Sequence, residues 1–147
     1  MTTIKSGLKV KDVMKTNVVV INADAPILEA AKLMAKHSIG SVVVIEKNEV
    51  VGVITERDIV RKVVAEEKGW HIKVKDVMSH PIIVTSPDVP IESAARIMEK
   101  NKIRRLPVID KKGYIVGIIT ENDILRVLPS IIDLIEEKAA LGETEEK

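Results

Sequence analysis

The chain has 147 residues, of which 46% are apolar, with one tryptophan, one tyrosine and no phenylalanine. A chain of this length forms one ordinary domain, or two small units that share an aliphatic core. The formal net charge of +1 and the scarcity of aromatic rings argue against a nucleic-acid-binding protein. The absence of cysteine excludes disulfides, thiolate metal sites and cysteine nucleophiles.

Membrane and metal binding are not expected either. No apolar run reaches membrane-spanning length, and the N-terminal residues lack the apolar core of a secretion signal. We therefore expect a soluble, cytoplasmic protein. The three histidines show no spacing that is typical of a metal site, and no metal is predicted.

The chain is an internal duplication. The sequence VKDVM occurs at 10–14 and again at 74–78, an offset of 74 − 10 = 64 residues. Residues 18–36 align with 82–100 at the same offset. Beyond the sequence DKKG the offset becomes 117 − 52 = 65, because the second copy has one more turn residue. Two copies of roughly sixty residues therefore cover most of the chain.

Each copy predicts the same elements in the same order. A short helical segment at VKDVM leads to an apolar strand, at 18–21 and 82–85. Asp24 and Asp88 then precede a proline at a helix start, and the helix that follows has apolar residues at i, i+3, i+4 and i+7. Two strands joined by a polar turn and a final helix complete a β-α-β-β-α unit. We therefore predict an α/β (α+β) fold of two such units, each with helices on one side of its sheet and its twin on the other.

The sequence Thr-x-x-Asp begins the final helix of both copies, as Thr55 with Asp58 and as Thr120 with Asp123. One interpretation is a helix cap, in which the threonine accepts from a backbone amide and the acidic side chain reaches back. The other is ligand binding, because a strand that gives way to a helix N-terminus is a usual location for phosphate or sugar groups. An ionised aspartate can accept from both hydroxyls of a ribose. The two interpretations are compatible.

Two further features favour ligand binding. Gly52 and Gly117 lie in the preceding strands, where a glycine allows another backbone or a flat ligand to approach closely. Arg104 and Arg105 come just before a strand. Adjacent residues of an extended segment point to opposite faces, so at least one is usually solvated, but paired arginines can also clamp a phosphate.

In order, spacing and duplication, these motifs resemble a tandem pair of CBS domains, also called a Bateman module. The resemblance rests on DVM, LPVID and G-I-I-T-x-x-D-I and spans about 10–128. It implies two β-α-β-β-α units packed sheet to sheet about a pseudo-twofold axis, with two clefts between them. It also implies AMP, ADP, ATP or S-adenosylmethionine as a regulatory ligand, with no required cofactor.

The same resemblance implies ribose- and phosphate-binding residues in both clefts. We call the cleft of Thr55 and Asp58 the first cleft, and the cleft of Thr120 and Asp123 the second cleft. The residue that opens the first strand of each copy is expected to contact adenine through apolar contacts and backbone hydrogen bonds. These two residues are Val18 and Ile82.

The two clefts are expected to differ in their cations. Basic residues before LPVID contact phosphate in the family, and Arg104 and Arg105 match them, whereas the aligned residues of the first copy are Gly40 and Ser41. Because the family can hold phosphate across the pair, Arg104 and Arg105 are assigned to the first cleft. The second cleft is expected to have Arg57 and few other cations.

We therefore expect a regulatory module that binds an adenosine nucleotide, performs no chemistry, and signals to a protein partner or through a homodimer. An interaction scaffold whose clefts bind no physiological ligand is the alternative. A small enzyme is a third possibility, but the sequence shows no His-acid pair, nucleophile elbow, P-loop or metal cluster.

The predicted organisation has three parts. Residues 1–68 form the first CBS motif, 69–128 the second, and 129–147 a C-terminal helix and an acidic tail. The amphipathic segment 129–141 either adds to a dimer interface or packs on its own domain.

Overall fold

The computed structural model describes residues 6–80 and 82–127, together with 136, 137 and 139. Apart from those three positions, the predicted C-terminal helix and acidic tail lie outside the described residues. None of the helices in the described ranges has both the length and the apolar character that crossing a membrane requires.

The elements follow the predicted order. The first repeat contains α1 (Val10–Val13), β1 (Val20–Asn22), α2 (Ile27–His37), β2 (Ser41–Glu46), β3 (Glu49–Thr55) and α3 (Glu56–Ile59), which continues as a π-helical turn (Val60–Val64). The second repeat contains a 3₁₀ turn (Val74–Asp76), α4 (Ile91–Asn101), β4 (Arg105–Ile109), β5 (Ile115–Thr120) and α5 (Glu121–Arg126). The α/β class with small sheets is confirmed.

The strands form one sheet in each repeat. In the first repeat β1 pairs parallel with β2, and β2 pairs antiparallel with β3. Lys47 and Asn48 link β2 to β3 with φ values of 52° and 68°, as a tight hairpin turn with two left-handed residues requires. The second repeat has the two-stranded antiparallel sheet β4–β5. The sheets meet where the Val50 amide donates to the Gly113 carbonyl over 3.4 Å.

The strand predicted at 82–85 was wrong: in this segment a single parallel bridge joins Thr85 to Val108. In the first repeat the amide of Val43 donates to the carbonyl of Val19 over 3.4 Å. The aligned residue in the second repeat is Pro107, which has no N–H to donate. The parallel ladder therefore stops after one bridge.

The two VKDVM segments are exchanged between the repeats. The amide of Val10 donates to the carbonyl of Val89 (2.9 Å), and Val10 is buried in the core of the second repeat. Reciprocally, the amide of Val74 donates to the carbonyl of Ala25 (2.8 Å), and Val74 and Val77 are buried in the core of the first repeat. Each hydrophobic core is thus completed by a segment of the other repeat.

The aspartates before α2 and α4 form ion pairs with lysines of these exchanged segments rather than cap the helices. Asp24 lies 2.9 Å from the Nζ of Lys75, and Asp88 lies 3.2 Å from the Nζ of Lys11. The hydrogen bond from Lys75 lowers the pKa of Asp24. The prolines at 26 and 90 occupy the N-cap position, and the helices begin at Ile27 and Ile91.

Candidate functional site

The helix-cap interpretation of both Thr-x-x-Asp motifs is confirmed. Thr55 Oγ1 accepts from the amide of Asp58 at 3.0 Å, and Asp58 Oδ2 accepts from the amide of Thr55 at 3.1 Å. Thr120 and Asp123 make the same reciprocal pair at 3.1 and 2.9 Å. Each motif is therefore a capping box, and one oxygen of each carboxylate is used by the backbone.

The remaining partners of the two aspartates differ. Lys62 Nζ lies 3.1 Å from Asp58 Oδ1, and the Ser79 hydroxyl lies 3.1 and 3.2 Å from the two oxygens of Asp58. Asp123 Oδ1 instead faces the guanidinium of Arg126 and, at 3.7 Å, the Nζ of Lys15. The sequence analysis did not single out Lys15, although the repeat aligns it with Ser79.

The two strand glycines make room for the exchanged segments. A methyl group on Gly52 would lie 2.6 Å from Met78 Sδ and 3.0 Å from the carbonyl oxygen of Ser79. A methyl group on Gly117 would lie 2.5 Å from Met14 Sδ and 3.0 Å from the carbonyl oxygen of Lys15. The sequence analysis predicted that these glycines admit either another backbone or a flat ligand. The structure shows the close approach of another backbone.

The first cleft is a cavity of about 570 Å³ between the two repeats. The first repeat contributes Thr55 and Arg57, and the second contributes Ile82, Arg104 and Arg105, so five of the predicted site residues line this cavity. Asp58 is not among the residues that line the cavity. Its carboxylate accepts a hydrogen bond from the hydroxyl of Ser79, which does line the cavity.

Arg57 was assigned to the wrong cleft. The structure places Arg57 in the wall of the first cleft, together with Arg104 and Arg105. Arg57 is the second residue of α3, and this short helix starts at the cleft edge, so its exposed first turn faces the same cavity as Thr55. Among the described residues that line the cavity, Glu56 is the only one with a carboxylate. The three guanidinium groups and this carboxylate leave a formal charge of 3 − 1 = +2.

The two neighbouring arginines are held differently. Arg105 is half-buried and its Nη1 donates to Ser41 Oγ at 2.7 Å, which joins the starts of β4 and β2. Burial lowers the pKa of Arg105, and the nearby Glu56 opposes that shift. Arg104 is largely exposed, and its Nε lies 3.9 Å from Glu121. Arg105 is therefore positioned in advance, whereas Arg104 is restrained by one weak surface ion pair.

The remaining predicted residues, Val18, Thr120 and Asp123, lie outside the cavity of the first cleft. Asp123 is 1% exposed, and Val18 is partly buried. Lys15 lies three residues before Val18, and its backbone exchanges hydrogen bonds of 2.9 Å with Ile118 in β5. Within the described part of the chain, no group of three or more histidine or acidic side chains is placed to hold a metal ion.

Comparisons with known proteins agree with this architecture. The sequence model of the CBS domain matches residues 10–65 and 74–130. An uncharacterised protein of Methanopyrus kandleri is 39% identical over 134 residues, which are 90% of this chain and 68% of that protein. The CBS domain-containing protein YhcV of Bacillus subtilis is 35% identical over 115 residues, which cover 78% of this chain and 81% of YhcV.

A solved structure shares the fold. It is a CBS domain pair in complex with 5′-methylthioadenosine and S-adenosyl-L-methionine, with a TM-score of 0.75 and 31% sequence identity. The similarity covers 84% of this chain and 97% of that chain.

Proposed function

This chain belongs to the CBS domain family, and on that premise we propose that it is a regulatory module that binds an adenosine nucleotide in its first cleft and performs no catalysis. The observation that carries the proposal is the composition of the cavity wall. Thr55, Ile82 and three arginines, drawn from both repeats, surround one space of about 570 Å³. Ligand pockets are typically clefts of about 300–1,000 Å³ with a few convergent polar groups.

The cavity has separate regions for the parts of a nucleotide. Ile82, Ile83 and Pro107 supply an apolar surface for a base. Ser79 and Thr55 stand beside the Asp58 carboxylate, where ribose hydroxyls can take the place of the Ser79 hydroxyl as donors. Because the wall is aliphatic, the base is held by apolar contact and backbone hydrogen bonds rather than by aromatic stacking.

The charge of the wall favours a ligand that carries phosphate. The lining side chains have a formal charge of +2, and Arg105 is already positioned by Ser41. Guanidinium groups bind phosphate oxygens through charge-assisted hydrogen bonds. The similar CBS domain pair binds 5′-methylthioadenosine and S-adenosyl-L-methionine. S-Adenosylmethionine carries a sulfonium cation, which three guanidinium groups would repel, so AMP, ADP or ATP is the better match for this chain.

Calorimetric titration with AMP, ADP, ATP, adenosine and S-adenosylmethionine tests the proposal. Each hydrogen bond to a charged group is worth about 1.5–3 kcal/mol, so AMP should bind at least about tenfold more tightly than adenosine. Arg105→Ala should remove most of that preference. Arg61→Ala is the matched control, because Arg61 is exposed and lies outside the cavity.

Thermal denaturation provides an independent measurement. A ligand at one hundred times its dissociation constant stabilises the fold by about 2.7 kcal/mol, which is roughly 5–10 °C for a chain of this size. If millimolar AMP, ADP, ATP and S-adenosylmethionine all leave the melting temperature unchanged, the nucleotide-binding proposal is wrong.

An interaction scaffold is the second candidate function. Val60, Val64 and Leu125 are 58%, 66% and 48% exposed on the helices after β3 and β5. Apolar side chains exposed on neighbouring helices are typical of a surface that another subunit covers. Homodimerisation through this face is part of the proposal, and in the scaffold alternative it is the whole function.

A further inference from the structure

Ser79 and Lys15 occupy equivalent positions in the two halves of the molecule. Each directly follows a VKDVM segment and pairs with a strand of the other repeat. The amide of Ser79 donates to the carbonyl of Val53 at 2.9 Å, and the amide of Lys15 donates to the carbonyl of Ile118 at 2.9 Å. With the backbone alike, the difference between the two sites is the side chain.

That side chain determines how each aspartate is neutralised. Among the described residues, Asp58 has one cationic partner, Lys62, and a neutral donor, the Ser79 hydroxyl. Their formal charges sum to −1 + 1 = 0. Asp123 has two cationic partners, Arg126 and Lys15, so that group sums to −1 + 2 = +1.

The carboxylate of Asp58 is also more accessible to solvent than that of Asp123. The Asp58 side chain is 9% exposed, and that of Asp123 is 0% exposed. A ribose hydroxyl that approaches Asp58 replaces the hydroxyl of Ser79, which exchanges one neutral donor for another. A ribose hydroxyl that approaches Asp123 meets the ammonium group of Lys15, which lies 3.7 Å from Oδ1 as an ion pair without a hydrogen bond. Its displacement would exchange a cation beside the carboxylate for a neutral donor.

We propose that Lys15 is the specificity-determining residue of the second cleft and closes it to ribose, so that each chain binds one adenosine nucleotide, in the first cleft. This inference rests on the proposed function, because it concerns which of two related clefts accepts the same ligand. Lys15 acts through Asp123, and it does so without removing the capping box that Asp123 forms with Thr120.

Exchange of the two side chains tests the inference, with AMP as the probe and stoichiometry from calorimetry as the readout. Lys15→Ser recreates the donor found beside Asp58, and it should raise the stoichiometry from one AMP per chain to two. Lys15→Arg keeps a cation beside Asp123 and should leave the stoichiometry at one. The Lys15 side chain is half exposed, so neither substitution disturbs a core.

The reciprocal variant separates this mechanism from simple attraction of phosphate. Ser79→Lys adds a cation to the first cleft, and attraction alone would strengthen AMP binding. If an ammonium in the position of the Ser79 hydroxyl excludes ribose, Ser79→Lys should instead weaken AMP binding by about tenfold or more, since the ribose must displace that ammonium from the Asp58 carboxylate. Inorganic phosphate, which has no ribose, should bind Ser79→Lys no more weakly than the unmodified chain.

The outcomes distinguish the two proposals. A chain that binds none of the nucleotides overturns the proposed function and this inference with it. A chain that binds AMP at one site, with Lys15→Ser still at one site or Ser79→Lys binding AMP more tightly, overturns the role of Lys15 alone. Two AMP molecules on the unmodified chain would do the same.

Discussion

The Thr-x-x-Asp motif has a structural role in both repeats, and the groups beside its carboxylate differ between them. Asp58 and Asp123 cap their helices with nearly identical geometry. The group placed against the carboxylate differs, a hydroxyl in one half and an ammonium in the other. A motif that recurs with its spacing intact therefore keeps its structural role in both copies, and the proposed difference in binding lies in the group beside it.

Substitution of Gly52 or Gly117 by alanine tests the close approach of the exchanged segments. In each case the added methyl group would lie within 3.0 Å of a methionine sulfur and a backbone carbonyl oxygen. Overpacking of this kind costs about 1–3 kcal/mol, and the backbone carbonyl limits relaxation. Urea denaturation should show that loss in the free energy of unfolding for both variants.

Gly40→Ala is the control for the two strand glycines. Its methyl group would meet the flexible carboxylate end of Glu56, which can move away, so the stability should change by less than about 0.5 kcal/mol. Equal losses at positions 40, 52 and 117 would show that the close approach is not the cause.

The exchanged VKDVM segments are the elements that bind the two repeats into one molecule. α1 belongs to the first repeat in sequence, but Val10 is fully buried in the core of the second. The 3₁₀ turn of the second repeat is likewise buried in the core of the first through Val74. Neither repeat has a complete core by itself, so the sequence repeat and the packed unit do not coincide.

Val10→Ala and Val74→Ala form a matched pair that tests this exchange. Each removes two buried methyl groups and should cost about 1.5–3 kcal/mol. Val10→Ala should accelerate native-state hydrogen exchange of the amides in β4 and β5, whereas Val74→Ala should accelerate exchange in β2 and β3, because local opening follows the core that has lost contacts. Faster exchange in the same repeat as the substitution would contradict the exchanged arrangement.

At the level of the whole molecule, the two pseudo-symmetric halves carry the cleft on one side and exposed helices on another. A groove of about 410 Å³ lies between α2 and α3, and its counterpart of about 470 Å³ lies between α4 and α5. Val60 lines the first groove and Leu125 the second. Glu56 lines both the first groove and the first cleft, so a nucleotide bound in the first cleft as proposed would lie beside a residue of this face.

The proposed homodimer can be tested on this face. Light scattering should give twice the single-chain mass of 16.2 kDa. Val60→Glu and Leu125→Glu should each reduce it to the single-chain mass, because a closed interface would bury an unpaired charge. Trp70→Glu is the control: Trp70 is 69% exposed but lies outside both grooves. A mass of one chain for the unmodified protein, with and without AMP, would rule the homodimer out.

The sequence by itself determined the repeat, most of the elements and the family. Period-2 and period-3.6 patterns depend on local geometry, and duplication showed each pattern twice, so the helices and hairpins could be predicted from neighbouring residues. The combination of Thr55, Arg104 and Arg105 in one cleft could also be predicted, from the family resemblance. The strand expected at 82–85 failed because Pro107, which is distant in sequence, withholds a ladder hydrogen bond.

Only the tertiary structure decided which residues face one another across the repeats. Sequence alignment pairs Lys15 with Ser79, but it does not reveal that each reaches the aspartate of the other repeat. It likewise assigned Arg57 to the second cleft, whereas Arg57 lines the first. The physical reason is the exchange of the VKDVM segments: these contacts join residues far apart in the chain, and local periodicity carries no information about them.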